Sequence, residues 1–285
     1  MVREFARAKI NLTLDILGTR ADGFHEVEMI MQELELADTV TLEKIPSGIE
    51  LSVTGGENIP TDEKNLAYRA AVEVCKACGK NLGVAIDLQK KIPSAAGLGG
   101  GSSDAAAVIR GLNKLYSLNL SVNEMCETGA RIGSDVPFCI VGGTCLAKGR
   151  GEILTQLKPL KNFSVILIKP RGEISTAWAY KTYDENPAAV HPPTAEIIKL
   201  LDAENYSAAF EKFANVLEPV ATKKIPAVET YRKFLLERGV EVAQMSGSGP
   251  TVFALTDEKT AEKVAAEFSG DAQIFITKTF QTRID

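Results

Sequence analysis

Histidine and tryptophan are scarce in this chain, with two of the first and one of the second, and basic residues are not in excess. With 32 Lys and Arg against 37 Asp and Glu, the net charge of −5 supplies no field for a nucleic-acid backbone. No nucleic-acid partner is expected, and any anionic ligand must be held locally. Apolar runs of membrane-spanning length are missing. The stretch Met1-Val2-Arg3-Glu4-Phe5-Ala6-Arg7-Ala8-Lys9 is charged throughout and has no apolar h-region, so neither a membrane partner nor a signal peptide is expected. The five Cys are an odd number for a disulfide framework and fit reduced thiols in the cytoplasm. Cys75 and Cys78 form a C-x-x-C, but no second pair completes a zinc site, and two thiols on a helix is the simpler reading.

What is present in quantity is apolar residues, at 45%, and glycine, at 23 of 285 residues. This composition is that of a soluble globular protein, and the length suits two domains. The glycines gather in Pro93-Ser94-Ala95-Ala96-Gly97-Leu98-Gly99-Gly100-Gly101-Ser102-Ser103-Asp104, just before an alanine run. Ser102, Ser103 and Asp104 offer an N-cap for a helix over 102–116. A glycine loop feeding a helix N-terminus collects unpaired amides and a partial positive charge, a site for phosphate. The P-loop is excluded, because no Lys occurs between Lys91 and Lys114. The dinucleotide fingerprint is a poor match, because its last glycine is Ser102 and no alternating parallel βαβ setting precedes it.

Residues 6 to 16 alternate, with Lys9 and Asn11 on one face, which predicts a half-buried strand whose polar side faces solvent. His25 follows Phe24 on a turn and could read a ring or cap the turn. Val40 to Ile45 and Ile49 to Val53 are predicted to form a hairpin over Pro46-Ser47-Gly48. Asn65 precedes a helical pattern that stops at Gly79, and Ser121-Val122-Asn123-Glu124 is a capping box. Asp135, in Gly133-Ser134-Asp135-Val136-Pro137, has the setting of a turn or cap residue. Lys158 to Lys161 is the expected boundary between domains 1–160 and 161–285. Beyond it come an apolar strand from Phe163, helices including one over 206–217, and a second glycine loop, Ser246-Gly247-Ser248-Gly249-Pro250, between two strands. The fold class is α+β.

The pattern Pro, three residues, Gly-Leu, a glycine-rich spacer and Ser-Ser resembles the ATP loop of the galactokinase, homoserine kinase, mevalonate kinase and phosphomevalonate kinase superfamily. Ala8-Lys9-Ile10-Asn11-Leu12 and the late glycine loop stand in the order that superfamily has. With Arg20-Ala21-Asp22-Gly23-Phe24-His25 and Gly133 to Pro137, the match narrows to the branch acting on 4-diphosphocytidyl-2-C-methyl-D-erythritol in non-mevalonate isoprenoid synthesis. The resemblance implies a ribosomal-protein-like N-terminal domain, a ferredoxin-like C-terminal domain, and ATP-dependent phosphorylation of the 2-hydroxyl of the methylerythritol unit. It implies Asp135 as catalytic base with Lys9 beside it. Pro93, Ala95, Ala96, Gly97, Leu98, Gly99, Gly100, Gly101, Ser102, Ser103 and Asn65 are then expected to bind ATP, Asn65 being equally a helix cap. Asn11, Phe24, His25, Tyr180, Gly247 and Ser248 are expected to bind the cytidylyl substrate, with Tyr183 an alternative to Tyr180. Mg²⁺ is expected on the phosphates, without an evident acidic ligand; Ser103 is the one candidate. The competing readings are another small-molecule kinase of the superfamily, separated by an acceptor panel, and a nucleotide-sensing module without catalysis, against which Lys9 and Asp135 both argue.

Overall fold

The alternating segment becomes a long strand, β1 (Val2–Thr19), paired antiparallel with the longer β2 (His25–Lys44). The computed structural model describes residues 1–56 and 59–281. In it β2 organises the first sheet: its other edge takes β5 (Thr144–Lys148) near Met29 and β4 (Val84–Gln89) near Val40. The sheet order is β3-β4-β2-β5-β6, where β3 is Ile49–Thr54 and β6 is Ile153–Gln156. One face is covered by α1 (Leu66–Cys78), α2 (Gly100–Tyr116), α3 (Val122–Ala130) and α4 (Val136–Val141), whose Ala67, Ala70, Ala105, Val108 and Phe138 are fully buried.

The second sheet has β7 (Ser164–Pro170), β8 (Val242–Met245), β9 (Val252–Thr256) and β10 (Ala272–Lys278) in the order β10-β7-β9-β8, all antiparallel. The helices α5 (Thr176–Glu185), α6 (Thr194–Asp202), α7 (Tyr206–Phe210), α8 (Glu218–Lys224) and α9 (Ala227–Leu236) lie between β7 and β8, and α10 (Glu258–Glu267) lies between β9 and β10. Strand order 4-1-3-2 with two crossovers is the ferredoxin-like arrangement. The architecture is α+β in two domains, as the sequence predicts. Among the described residues no helix is long and apolar enough to cross a membrane.

Four sequence expectations are corrected. The polar side of β1 does not face solvent: Lys9, Asn11, Thr13 and Asp15 are all buried. The two glycine loops and His191 supply the cover: a Cβ on Gly99 would stand 2.9 Å from Lys9 Cγ, one on Gly247 would stand 3.2 Å from Asn11 Oδ1, and His191 Nδ1 lies 2.6 Å from Asp15 Oδ1. The other face of the strand, Ala8, Ile10 and Leu12, shares an apolar cluster with Phe163, Val165 and Leu167 of the second sheet. The strands β2 and β3 make no hairpin; β3 pairs parallel with β4, and α1 is the crossover that a parallel pair requires. The helix expected over 206–217 ends at Phe210, because the chain beyond it bonds to β1, with Leu14 N–H donating to Ala214 O and Val216 N–H to Leu14 O, both at 3.0 Å. Finally, α2 starts at Gly100 and not at Ser102. Its N-cap is Gly99 at φ +70°, with no side-chain cap, so its first amides stay open.

Candidate active site

A cleft of about 1700 Å³ lies between the two sheets. Its floor is the N-terminus of α2, and the 17-residue length of that helix gives the open end a full dipole. The amides of Gly100, Gly101 and Ser102 precede the first helical acceptor bond, Ser103 N–H to Gly99 O at 2.9 Å, and the loop from Pro93 to Ser102 lines the cleft throughout.

Two glycines in that loop are demanded by close approach. A Cβ on Gly99 would stand 2.9 Å from Cγ of Lys9 at a φ of +70°, and one on Gly97 would stand 2.2 Å from the Ser246 carbonyl oxygen at +74°. The first glycine loop is thus seated on the Lys9 side chain and on the second glycine loop. Further bonds fix the joint: Lys9 N–H donates to Leu98 O at 3.0 Å, Ser246 Oγ donates to Gly97 O at 3.0 Å, and Asn11 N–H donates to Ser246 Oγ at 3.2 Å.

Lys9, 4% exposed, reaches into this joint from β1. Its Nζ donates to Asn11 Oδ1 at 2.6 Å and lies 3.2 Å from Asp135 Oδ2. Asp135 stands at the N-cap position of α4, yet its side chain makes no cap bond. It is therefore free of the local role that its sequence setting suggests, and it faces the cleft. A buried ammonium held between an amide oxygen and a partly exposed carboxylate can stabilise negative charge that develops between them.

On the opposite wall, His25 Nε2 pairs with Asp184 Oδ1 at 2.8 Å, and the His25 and Tyr180 ring centroids are 4.8 Å apart. Burial first, and then the charge of Asp135, hold the Tyr180 phenol well above its ordinary pKa, so it stays neutral. Of the two tyrosines left open by the sequence, Tyr180 lines the cleft, while Tyr183 is 5% exposed and packs in the core. Phe24 is half exposed at the rim, with the Arg150 guanidinium 4.9 Å from its ring centre. Gly247 and Ser248 close the cleft on the side of the second sheet.

Ser103 is not brought to the cleft. It is 1% exposed, and its hydroxyl donates to the carbonyls of Arg7 and Gly99. A helix residue one turn in can satisfy a carbonyl more easily than reach outward. Asn65 stands at the cleft edge, but both ends of its amide are engaged: Oδ1 accepts from Ala67 N–H at 2.9 Å and Nδ2 donates to Pro60 O at 2.7 Å. Its side chain works as the cap of α1. Cys139, beside Ser103, is no nucleophile, because burial pushes its thiol up to about 12.

Several cleft groups escaped the sequence reading. Lys90 bridges Asp38 and Asp104 beneath the glycine loop, the Asp104 contact being 2.6 Å, and Asp38 Oδ1 also accepts the amides of Lys91 and Ile92. One cation cannot neutralise two carboxylates. Asp38 has the extra donors, so burial and the neighbouring Asp38 charge leave Asp104 pushed up to about 7 despite Lys90. Asp184 and Arg150 also went unread. The Asp184 contact with His25 spans 159 residues, and no local pattern signals it. Among the described residues no cluster of three His, Cys, Asp or Glu could hold a metal.

The fold and this site define a small-molecule kinase. The model described as GHMP kinases N terminal domain matches residues 65–143, and that described as GHMP kinases C terminal matches residues 190–272. A 4-diphosphocytidyl-2-C-methyl-D-erythritol kinase of Alkaliphilus metalliredigens is 45% identical over 92% of this chain and 90% of its own length. The protein of that name from Pelotomaculum thermopropionicum is 44% identical over the whole of both chains. A crystal structure of 4-(cytidine 5'-diphospho)-2C-methyl-D-erythritol kinase superposes with a TM-score of 0.83 at 30% identity, covering 98% of this chain and 99% of that one. A homoserine kinase from Cytophaga hutchinsonii, 21% identical with a TM-score of 0.76, shares the fold. The chain belongs to the 4-diphosphocytidyl-2-C-methyl-D-erythritol kinase family.

Proposed function

We propose that this chain transfers the γ-phosphoryl group of ATP to the 2-hydroxyl of 4-diphosphocytidyl-2-C-methyl-D-erythritol, a step of non-mevalonate isoprenoid precursor synthesis. The observation that carries it is the Lys9–Asp135 contact of 3.2 Å within the same cleft as the uncapped N-terminus of α2.

Phosphoryl transfer requires an oriented nucleophile and neutralised charge, and little else from the protein. The loop from Pro93 to Ser102 holds the ATP phosphates through its open amides, and the helix dipole adds to the attraction. Asp135 accepts the proton of the attacking hydroxyl as the oxygen–phosphorus bond forms. Lys9, kept in place by Asn11, offsets charge on the nucleophile and on the transferring group. Phe24 and Tyr180 take the two faces of the cytosine ring. His25 donates from Nε2 to Asp184, which leaves Nδ1 as an acceptor for the exocyclic amine that separates cytosine from uracil. Gly247 and Ser248 contribute backbone to the acceptor side.

Mg²⁺ fits as a cation carried in by the nucleotide. It favours phosphate and water oxygens over an all-protein cage, and the donor set here offers hydroxyl and carboxylate oxygens without a cage. Ser102, which lines the cleft where Ser103 does not, is the hydroxyl that would contribute to its shell. When bound, it neutralises charge on the triphosphate. The same proposal divides the chain at residue 160, with the nucleotide held by 1–160 and part of the acceptor wall by 161–285. The protein acts in the cytoplasm, with no nucleic-acid or membrane partner.

An assay of ADP release with ATP and a panel of acceptors tests this reading. The cytidylyl substrate is expected to be turned over far faster than mevalonate or homoserine; a preference for either of those refutes it.

A further inference from the structure

The second glycine loop is gripped from behind by a residue outside every motif named above. Asn215, 5% exposed, lies between α7 and α8. Its Nδ2 donates to Met245 O at 2.9 Å and to Gly247 O at 2.8 Å, and its Oδ1 accepts from Leu217 N–H at 3.0 Å. Glu218 Oε2 accepts the Met245 N–H at 2.7 Å. Both backbone groups of Met245 are therefore held by this one segment. The segment is bonded in turn to Leu14 of β1, the strand that carries Lys9 and Asn11.

The bond to Gly247 O fixes the orientation of a whole peptide unit. The Gly247–Ser248 peptide is trans, so its N–H points opposite to its carbonyl. With the oxygen drawn toward buried Asn215, the Ser248 N–H is turned to the other side, where Gly247 and Ser248 line the cleft. Among the described residues that N–H has no acceptor. The Gly247 end of this peptide lies beside the Lys9 ammonium: a Cβ on Gly247 would stand 3.4 Å from Lys9 Nζ, 3.2 Å from Asn11 Oδ1 and 3.3 Å from Gly97 O. A fixed amide next to a buried cation is a donor pair for an anionic oxygen. The reversed peptide would present a carbonyl oxygen at the same place and repel it.

We propose that Asn215 is a positioning residue that fixes the Gly247–Ser248 peptide so that the Ser248 N–H is aimed at a phosphoryl oxygen bound beside Lys9. The proposal rests on the kinase reading above. Asn215→Asp is nearly isosteric, removes both donors and sets a negative charge against the two carbonyls. Its kcat is expected to fall about 10- to 100-fold, while the equilibrium Kd for ATP stays within about threefold, because the Pro93 to Ser102 loop is untouched. Val228→Ala, at a fully buried position in α9 that none of these bonds involves, is the control for general destabilisation and is expected to keep its kcat. Should Asn215→Asp fail to fold, Asn215→Ser, which retains one donor, is expected to be folded with a kcat between those of the native enzyme and the ADP background. A folded Asn215→Asp or Asn215→Ser enzyme with native kcat overturns the proposal, and so does an equal loss in Val228→Ala. Amide hydrogen exchange reads the clamp without any acceptor: faster exchange confined to residues 245–249 is expected in the variant, and unchanged exchange there also overturns it. Absence of turnover by the native chain would refute the acceptor reading alone, leaving this second readout intact.

Discussion

Gly97→Ala brings the two glycine loops into direct conflict, and its effects can be worked from the geometry. The new methyl would stand 2.2 Å from Ser246 O, 3.1 Å from Gly249 N and 3.2 Å from Gly249 O, all of them backbone atoms that no rotamer change can move away. Relief requires the loops to part by about 1 Å, since unbonded carbon and oxygen rest more than about 3 Å apart. The left-handed backbone at φ +74° adds about 1–2 kcal/mol for any residue with a Cβ, and loss of the Ser246 Oγ to Gly97 O bond adds about 1 kcal/mol. A stability loss of about 2–4 kcal/mol is expected in all, or a Tm lower by several degrees for a chain of this size. The functional loss should be larger in proportion, because a displacement of about 1 Å between the phosphate cradle and the Lys9–Asp135 pair can cost on the order of 100-fold in kcat. Thermal melts and steady-state kinetics on the same preparations separate the two effects. Gly79→Ala is the control. Gly79 has φ +64° with open space around its missing Cβ and ends α1, so it should lose stability through backbone strain alone and keep its kcat. If Gly97→Ala turns over within threefold of native, the seating of one loop on the other does not position the reacting groups, and the reasoning fails.

Two further outcomes follow from the walls of the cleft. Tyr180→Leu removes one face of the cytosine slot and should raise the acceptor KM about tenfold or more, given about 1–3 kcal/mol per stacked base, with the KM for ATP unchanged; an equal rise in both would place Tyr180 outside the acceptor subsite. Asp104 has a folded pKa raised from 3.8 to about 7, so its contribution to stability is full below 3.8 and is lost as the pH rises through about 7. Asp104→Asn should therefore flatten the fall in Tm across that window, and a native-like fall in the variant would contradict the division of charge between Asp38 and Asp104.

The sequence was most legible where function and structure are both local. The glycine loop, the capping box at Ser121 and the strand from Ala6 to Ile16 each carry their signal within a few residues, and all three are present. Misreadings arose where a distant segment changed the environment. The period-two pattern of β1 correctly indicates a strand, but alternation cannot tell solvent from a polar cleft, and so Lys9 and Asn11 look like an exposed face until the two glycine loops are in place. Ile49 to Val53 reads as a hairpin partner because proximity in sequence favours one, whereas α1 carries the chain across to make β3 parallel to β4. The helix expected through Leu217 stops early because Leu14, some two hundred residues back, offers the backbone bonds instead. The side chains that support the site, Asp38, Asp184 and Asn215, are partners of residues 52, 159 and 30 positions away, separations at which no motif can be seen. The open end of α2 was hidden for the opposite reason: Ser102, Ser103 and Asp104 look like caps, and the backbone uses Gly99 instead.

Asp135→Asn tests most directly whether the Lys9–Asp135 pair performs the transfer. The substitution keeps the shape of the side chain and removes the proton acceptor, and a general base of this kind is worth about 10²–10⁴ in rate. The measurement is single-turnover phosphorylation of 4-diphosphocytidyl-2-C-methyl-D-erythritol by saturating ATP, with ATP affinity determined on the same protein. A rate lower by at least 100-fold with ATP affinity within threefold of native is the expected result. A rate near native would contradict the account at its centre.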